Sequence, residues 1–348
     1  MARVSGRVTI AQIARAARAA QSTVSCVLNG KFKESGASAE RIAQIQAIAR
    51  RLNYRPSAAA RAMRTGRCDA IGLVLSTRPG RISPFLDLWL GLMDDLHVRG
   101  LSLTVARLPD DELTDDAALP RLMREWAVDG LLIDYVAEAP PHFIDLLRDQ
   151  HIPTVWLNHR QDLDAAFPDD HHGARLATEH LIALGHRRIA WHSDNAGPHY
   201  SHGERLAGYT LAMTAAGLTP RAHLGDHWAS AAERLPVARR LLKSDDRPTA
   251  VLCYGAQDAL PLYVAALERG WRVPRDLSLI TFHREPFATH GIDLTTAIIP
   301  AAAMGRAAVD LLLAKLAEAG QAQTAMALPY TLHAGATCAP PLATVVRS

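Results

Sequence analysis

Gln21, Ser22 and Ser25 share one side of a short segment, QSTVSCVLNG (21–30), whose other side at helical spacing is Val24, Val27 and Leu28. Small hydroxyl and amide groups on a helix face make close, directional hydrogen bonds to a polar surface. The 16 histidines raise a second chemistry, metal binding. The closest groups are His171–His172 and HYSH (199–202), and neither spacing assembles three ligands with a carboxylate. They read instead as His-rich loops in a polar cleft, and no metal is expected. Cys26, Cys68, Cys253 and Cys338 are far apart and form no C-x-x-C, which argues against a disulfide framework or zinc finger and fits a reducing compartment. No G-x-G-x-x-G follows a strand, and there is neither a G-x-S-x-G elbow nor a Walker loop. Neither an enzymatic activity nor a cofactor is expected.

The elements around the polar segment say what it is for. VTIAQIARAARAA (8–20) carries Ile10, Ile13, Ala14 and Ala17 at helical spacing behind Thr9, a hydroxyl N-cap. QSTVSCVLNG follows within a few residues and stops at Gly30. KFKESGA (31–37) reads as a polar loop. SAERIAQIQAIARRLNY (38–54) reads as a third helix, capped by Ser38, with Ile42, Ile45, Ala49 and Leu52 inward. Three short helices with a tight turn between the first two make a helix-turn-helix headpiece. The 21–30 segment is then its recognition helix, sized for a major groove. RPSAAARAMRTGR (55–67) is Ala-rich and basic, marginal as an isolated helix, and reads as a linker that orders on DNA.

Charge agrees with this division. Residues 1–67 hold 13 Lys/Arg and 2 Asp/Glu, a net of +11; the remainder holds 25 and 33, a net of −8. A basic head on an acidic body points to a polyanion-binding module joined to something that is not one. No apolar stretch reaches membrane-spanning length and no apolar h-region follows the N-terminal arginines, so neither a membrane partner nor a signal peptide is expected.

From Asp69 onward the rhythm changes. AIGLVL (70–75), LSLTVARL (101–108), DGLLIDYV (129–136) and PTVWLN (153–158) read as strands. They alternate with helices over about 84–99, about 117–127 and PHFIDLLRDQ (141–150). The pattern restarts at ARLATEHLIALGHRRIAWH (174–192), with PTAVLCY (248–254) and LSLITFH (277–283) as later strands. Two successive α/β halves imply two doubly wound parallel sheets and a cleft at the strand C-termini.

The ordered blocks VTIAQIARAA, STVSCVLNG, LNYRPSAAARAM, AIGLVL, DGLLI, ATEHLIALGHRRIA, ERLAGY, RPTAVL, RVPRDLSLITF and MGRAAVDLLL resemble the lactose/purine-repressor (LacI) family over nearly the whole chain. The resemblance implies a bacterial, cytoplasmic, nucleoid-associated homodimer that binds a pseudo-palindromic operator. It implies a headpiece (7–54), a hinge helix or linker (55–67), and a periplasmic-binding-protein-like effector-binding and dimerisation domain (68–348). One lobe takes about 69–167 plus 299–330, the other about 168–298 plus 331–345. The chain ends at CAPPLATVVRS without a leucine-heptad helix, so a dimer rather than a tetramer is expected. Gln21, Ser22 and Cys26 match base-reading positions. Thr9, Thr23, Ser25, Asn29 and Tyr54 match positions that touch phosphates or the helix interface. Ala60 and Met63 join the DNA-binding set, Met63 as the wedge of the hinge.

The chain also departs from the family's pattern. Cys26 stands where an arginine is usual, which removes a bidentate guanine contact, and the usual AGVS turn reads ARAA (17–20). In the effector cleft the resemblance assigns Phe85, Asp169, Arg205, Trp228, Gln257, Asp258, His283 and Arg284. His283 and Arg284 replace two aspartates, which favours a sugar acid or sugar phosphate if they line the pocket. If they stand behind it, a neutral sugar fits. The expected function is a transcription regulator, in the usual case a repressor, whose operator affinity is set allosterically by a small carbohydrate-type effector. The alternative is a solute-binding protein without gene regulation, which would share the two lobes but have no use for the headpiece.

Overall fold

Thr9 and Ser38 set where the first and last helices of the N-terminal unit begin. The computed structural model describes residues 8–54, 62, 65–78, 80–83, 85–109, 127–136, 139–194, 197, 199–225, 230–243, 247–289, 291–318 and 320–342. Thr9 forms a capping box with Gln12 at the start of α1 (Ile10–Ala17). Arg18 closes that helix in the left-handed region at φ 48°, where glycine is the usual residue, and its carbonyl accepts from Arg41 Nη2 at 2.5 Å. α2 (Gln21–Leu28) follows, then α3 (Phe32–Ser35), then α4 (Ala39–Arg51) behind the Ser38 cap. The expected polar loop at 31–37 thus contains a single helical turn, with the Ser35 hydroxyl bonded back to the Phe32 carbonyl at 2.6 Å. Ile13, Ala14, Ala17, Val24, Val27, Ile45, Ile48 and Ala49 form one small core.

The chain divides at Cys68/Asp69 into two units. Most of the 55–67 linker, including Ala60 and Met63, lies outside the described residues, as does nearly all of the helix expected at 117–127.

In the second unit, β1 (Ala70–Ser76), α5 (Leu86–Val98), β2 (Ser102–Leu108), β3 (Gly130–Asp134), α6 (Pro141–Asp149), β4 (Thr154–Leu157) and β5 (Ala165–Pro168) come first. The chain continues through α7 (Asp170–Ala183), β6 (Ile189–Ser193), α8 (Ser201–Ala215), β7 (Ala222–Leu224), α9 (Ala231–Leu241), β8 (Ala250–Cys253) and α10 (Ala256–Glu268). It ends with β9 (Ser278–His283), β10 (Phe287–Thr289), β11 (Ile292–Ile298), α11 (Ala301–Ala317), β12 (Met326–Leu328) and β13 (Thr331–His333). One sheet has the order β12-β5-β4-β3-β1-β2 and every pairing in it is parallel. The other has the order β10-β11-β9-β8-β6-β7 with β13 on β11; only β10 and β13 run antiparallel. The chain passes between the sheets after β5, after β11 and after β12, so each lobe is assembled from separate stretches.

Parallel strands buried on both faces must be continuously apolar. GLLI of β3 and AVLC of β8 are, and each strand is buried throughout, β3 ending in the buried Asp134. α5 and α11 cover one face of the first sheet, packing Leu88, Leu92, Met304 and Leu312 on Leu73 and Leu132. Gly91 and Gly305 let these helices touch, since a Cβ on Gly305 would overlap the Leu88 carbonyl. α7 and α8 cover one face of the second sheet around Trp191 and Tyr209, and α9 and α10 cover the other.

Candidate functional site

Two surfaces carry the polar residues singled out above. On the headpiece, Val24 and Val27 turn α2 inward, leaving Gln21 and Ser22 exposed and Thr23, Ser25 and Cys26 half-buried. Asn29 is exposed and its side-chain amide donates to the Ser25 carbonyl at 2.7 Å, holding the end of the helix. Thr9 spends its hydroxyl on the α1 cap at 3.3 Å, and Tyr54 packs against the small core. A helix that exposes one amide and one hydroxyl while its apolar side is anchored has the form of a groove-reading element.

In the second unit the C-terminal ends of strands from both sheets meet, the place where open α/β sheets bind ligands. The first lobe contributes a buried knot around Asp134, at the end of β3. Its carboxylate accepts from Ser83 N at 3.0 Å, Ser83 Oγ at 2.6 Å and Trp89 Nε1 at 3.1 Å. Burial raises the pKa of Asp134, while these donors pull it back. Asn158, one residue past β4, donates to Ser83 Oγ at 3.2 Å.

The second lobe contributes Arg205 on α8. Its Nε donates to Asp170 Oδ1 at 2.6 Å, its Nη1 to the Tyr254 carbonyl at 3.0 Å and its Nη2 to Tyr330 Oη at 3.1 Å. The guanidinium lies over the Tyr254 ring at 4.7 Å and the Phe282 ring at 4.3 Å. The His202 ring stacks on Tyr254 at 3.8 Å, and burial, then the Arg205 charge, lowers its pKa to about 4. His202 is therefore neutral at physiological pH. The lobes touch where His199 Nε2 meets the Asn158 carbonyl at 3.1 Å, where Arg160 pairs with Glu204, and where Arg284 Nε lies 3.4 Å from Asp87.

The structure distributes the expected cleft residues unevenly. Phe85 packs against the cores of both lobes and Arg205 sits at the centre of the second lobe's polar network. Asp169 instead caps α7, its Oδ1 accepting from His172 N at 2.9 Å, and the neighbouring Asp170 is the carboxylate that meets Arg205. Asp258 is fully buried and caps α10, accepting from Gly255 N at 3.1 Å and Asp194 N at 3.4 Å. Burial raises its pKa to about 6. Gln257 is exposed beside Gly255. His283 Nδ1 is 3.0 Å from the Glu285 carbonyl, and Arg284 adds Glu285 at 3.0 Å to its Asp87 contact. Trp228 lies outside the described residues. His199 hydrogen-bonds Ser201 Oγ at 2.7 Å, and no cluster of three metal-ligating groups occurs among the described residues.

Ser83, Trp89, Asp134, Asn158, Asp170, Tyr254, Phe282 and Tyr330 were not marked by sequence. Asn158 and Tyr254 end predicted strands, and that position alone was a usable signal, whereas Asp134 falls inside the strand expected at 129–136.

The sequence profile of the periplasmic binding protein-like domain family matches residues 178–338. The HTH-type transcriptional repressor PurR of Klebsiella pneumoniae subsp. pneumoniae is 29% identical over 319 residues, covering 88% of this chain and 90% of that protein. A crystal structure of the lac repressor dimer bound to operator and the anti-inducer ONPF superposes with a TM-score of 0.77 at 25% identity, over 96% of this chain and 99% of that one. The chain is similar in sequence to purine repressors and in fold to the lac repressor. A LacI family transcriptional regulator from Mycobacterium smegmatis, 28% identical with a TM-score of 0.60, covers 78% of this chain and 99% of its own. In this chain the α2 face and the inter-lobe cleft are the two candidate functional surfaces.

Proposed function

We propose that the protein is a bacterial transcription repressor whose affinity for operator DNA is set by a small effector held between the lobes of its second unit. The observation that carries the reading is the pairing in one chain of a basic helix-turn-helix unit with an acidic two-lobed unit. The relatives support it: PurR is a repressor, and the lac repressor of the matched structure is a dimer on its operator. We carry over the dimer, a pseudo-palindromic site, and a cytoplasmic, non-enzymatic role. Gln21, Ser22 and Cys26 read bases; Thr9, Thr23, Ser25, Asn29 and Tyr54 support phosphate contacts; Ala60 and Met63 act in the hinge. A carbohydrate-type effector suits a cleft whose aromatic rings lie beside hydrogen-bonding groups. Ligand shifts operator affinity by binding two arrangements of the lobes unequally.

The test is selection of duplexes from a random library by the full-length protein, followed by anisotropy titrations. The reading expects an enriched pseudo-palindrome. It also expects an affinity that falls about a thousand-fold or more between about 50 and 200 mM salt, as six or more phosphate contacts require. Binding that is neither sequence-selective nor salt-sensitive rejects it.

A further inference from the structure

Asp170 treats its two oxygens unequally. Oδ1 accepts from Arg205 Nε and from Tyr330 Oη, both at 2.6 Å. Oδ2 is buried and has no donor within hydrogen-bond distance, although Asp170 is only 2% exposed and the Tyr200 hydroxyl also interacts with this carboxylate. A buried acceptor left unpaired is costly and calls for a reason. Arg205 has the opposite character, with every nitrogen committed inside the protein and an aromatic ring on its guanidinium. Its charge is matched before any ligand arrives. Arg284, another cation at the lobe contact, is likewise matched by Asp87 and Glu285. A ligand carboxylate or phosphate would find no unmatched guanidinium at either place and would meet the Asp170 carboxylate. A ligand hydroxyl or amide N–H would find an acceptor waiting.

We propose that Asp170 is the charge selector of the cleft: by matching Arg205 it makes the cleft take an uncharged effector that donates a hydrogen bond to Oδ2, and turns anions away. This rests on the cleft being the effector site, and of the two effector classes that His283 and Arg284 leave open in sequence it selects the uncharged one.

The test uses inorganic sulfate as the anion probe and thermal melting of the full-length protein without DNA, at ionic strength matched with sodium chloride. Sulfate favours compact states in general, so the wild type and the double variant Asp170→Asn/Arg205→Met set a shallow, non-saturating baseline. Asp170→Asn strands the buried Arg205 charge. It is expected to show a saturable rise in Tm with at least a tenfold gain in apparent sulfate affinity over the wild type. A saturable wild-type response that Arg205→Met abolishes overturns the proposal, as does an Asp170→Asn titration that follows the baseline. If Asp170→Asn does not fold, the double variant, which removes the stranded charge, is expected to fold; a double variant that also fails overturns it. No DNA is present, so failure here leaves salt-sensitive operator binding standing, and loss of operator binding leaves the sulfate result standing.

Discussion

Ile45→Ala separates the two units most cleanly. Ile45 is fully buried in the headpiece, against a core that also holds Ile13, Val24, Val27 and Ile48. Truncating a buried isoleucine to alanine costs about 2–5 kcal/mol, through lost transfer energy and the cavity left behind. The described headpiece, residues 8–54, is short, and at about 0.05–0.15 kcal/mol per residue its whole stability is only about 2–7 kcal/mol. The substitution therefore removes most of the margin. All six tryptophans lie beyond Cys68, so tryptophan fluorescence melts follow the second unit alone. The expected result is an unchanged tryptophan Tm, a loss of helical circular dichroism and operator affinity weakened by about thirty-fold or more, the equivalent of about 2 kcal/mol. Full operator affinity would refute the assignment of Ile45 to a core that the reading face depends on. A tryptophan Tm that falls in parallel would refute the independence of the units.

Two further outcomes follow from the second unit. Gly305→Ala places a Cβ onto the Leu88 carbonyl where α5 and α11 touch, and urea denaturation is expected to show a loss of about 1–3 kcal/mol, the range for overpacking; an unchanged midpoint would mean that the helices separate freely. Burial pushes the Asp258 pKa from the ordinary 3.8 up to about 6, so between those values the native state binds more protons than the unfolded one and its burial penalty fades as the pH falls. Relative to Asp258→Asn, the wild type should gain about 2 kcal/mol of unfolding free energy between about pH 7 and pH 4; parallel pH profiles would show that Asp258 does not titrate there.

The fold was legible because its strongest signals are local. The apolar side of α2 and the caps at Thr9 and Ser38 depend on residues a turn apart, and the strands of both lobes are short apolar runs between turn residues. The turn at 32–35 was missed because Phe32 is exposed and, with Lys33 and Glu34 beside it, the stretch shows no apolar face. Strands β5, β7, β10, β11, β12 and β13 were missed for another reason. AAFP, MAL and TLH are strands through the neighbours they pair with, and β12 is largely exposed. β12 pairs with β5 from more than a hundred residues away, a partnership that no window of sequence contains.

The cleft exposes a different gap. A sequence yields a roster of charges, whereas selectivity depends on how those charges are paired. Two arginines at expected ligand positions suggest an anion only while they count as free. Arg284 finds Asp87 from the other lobe, and Arg205 finds Asp170 from a helix start 35 residues earlier. Asp170 sits beside Asp169, and identity alone does not say which of two adjacent carboxylates caps the helix and which faces inward. The geometry of α7 does: Asp169 accepts the backbone N–H of His172, and the helix then carries Asp170 toward Arg205 and Tyr330. Once the pairs are known, the net charge that a ligand meets in this cleft is set by the carboxylates beside the arginines as much as by the arginines themselves.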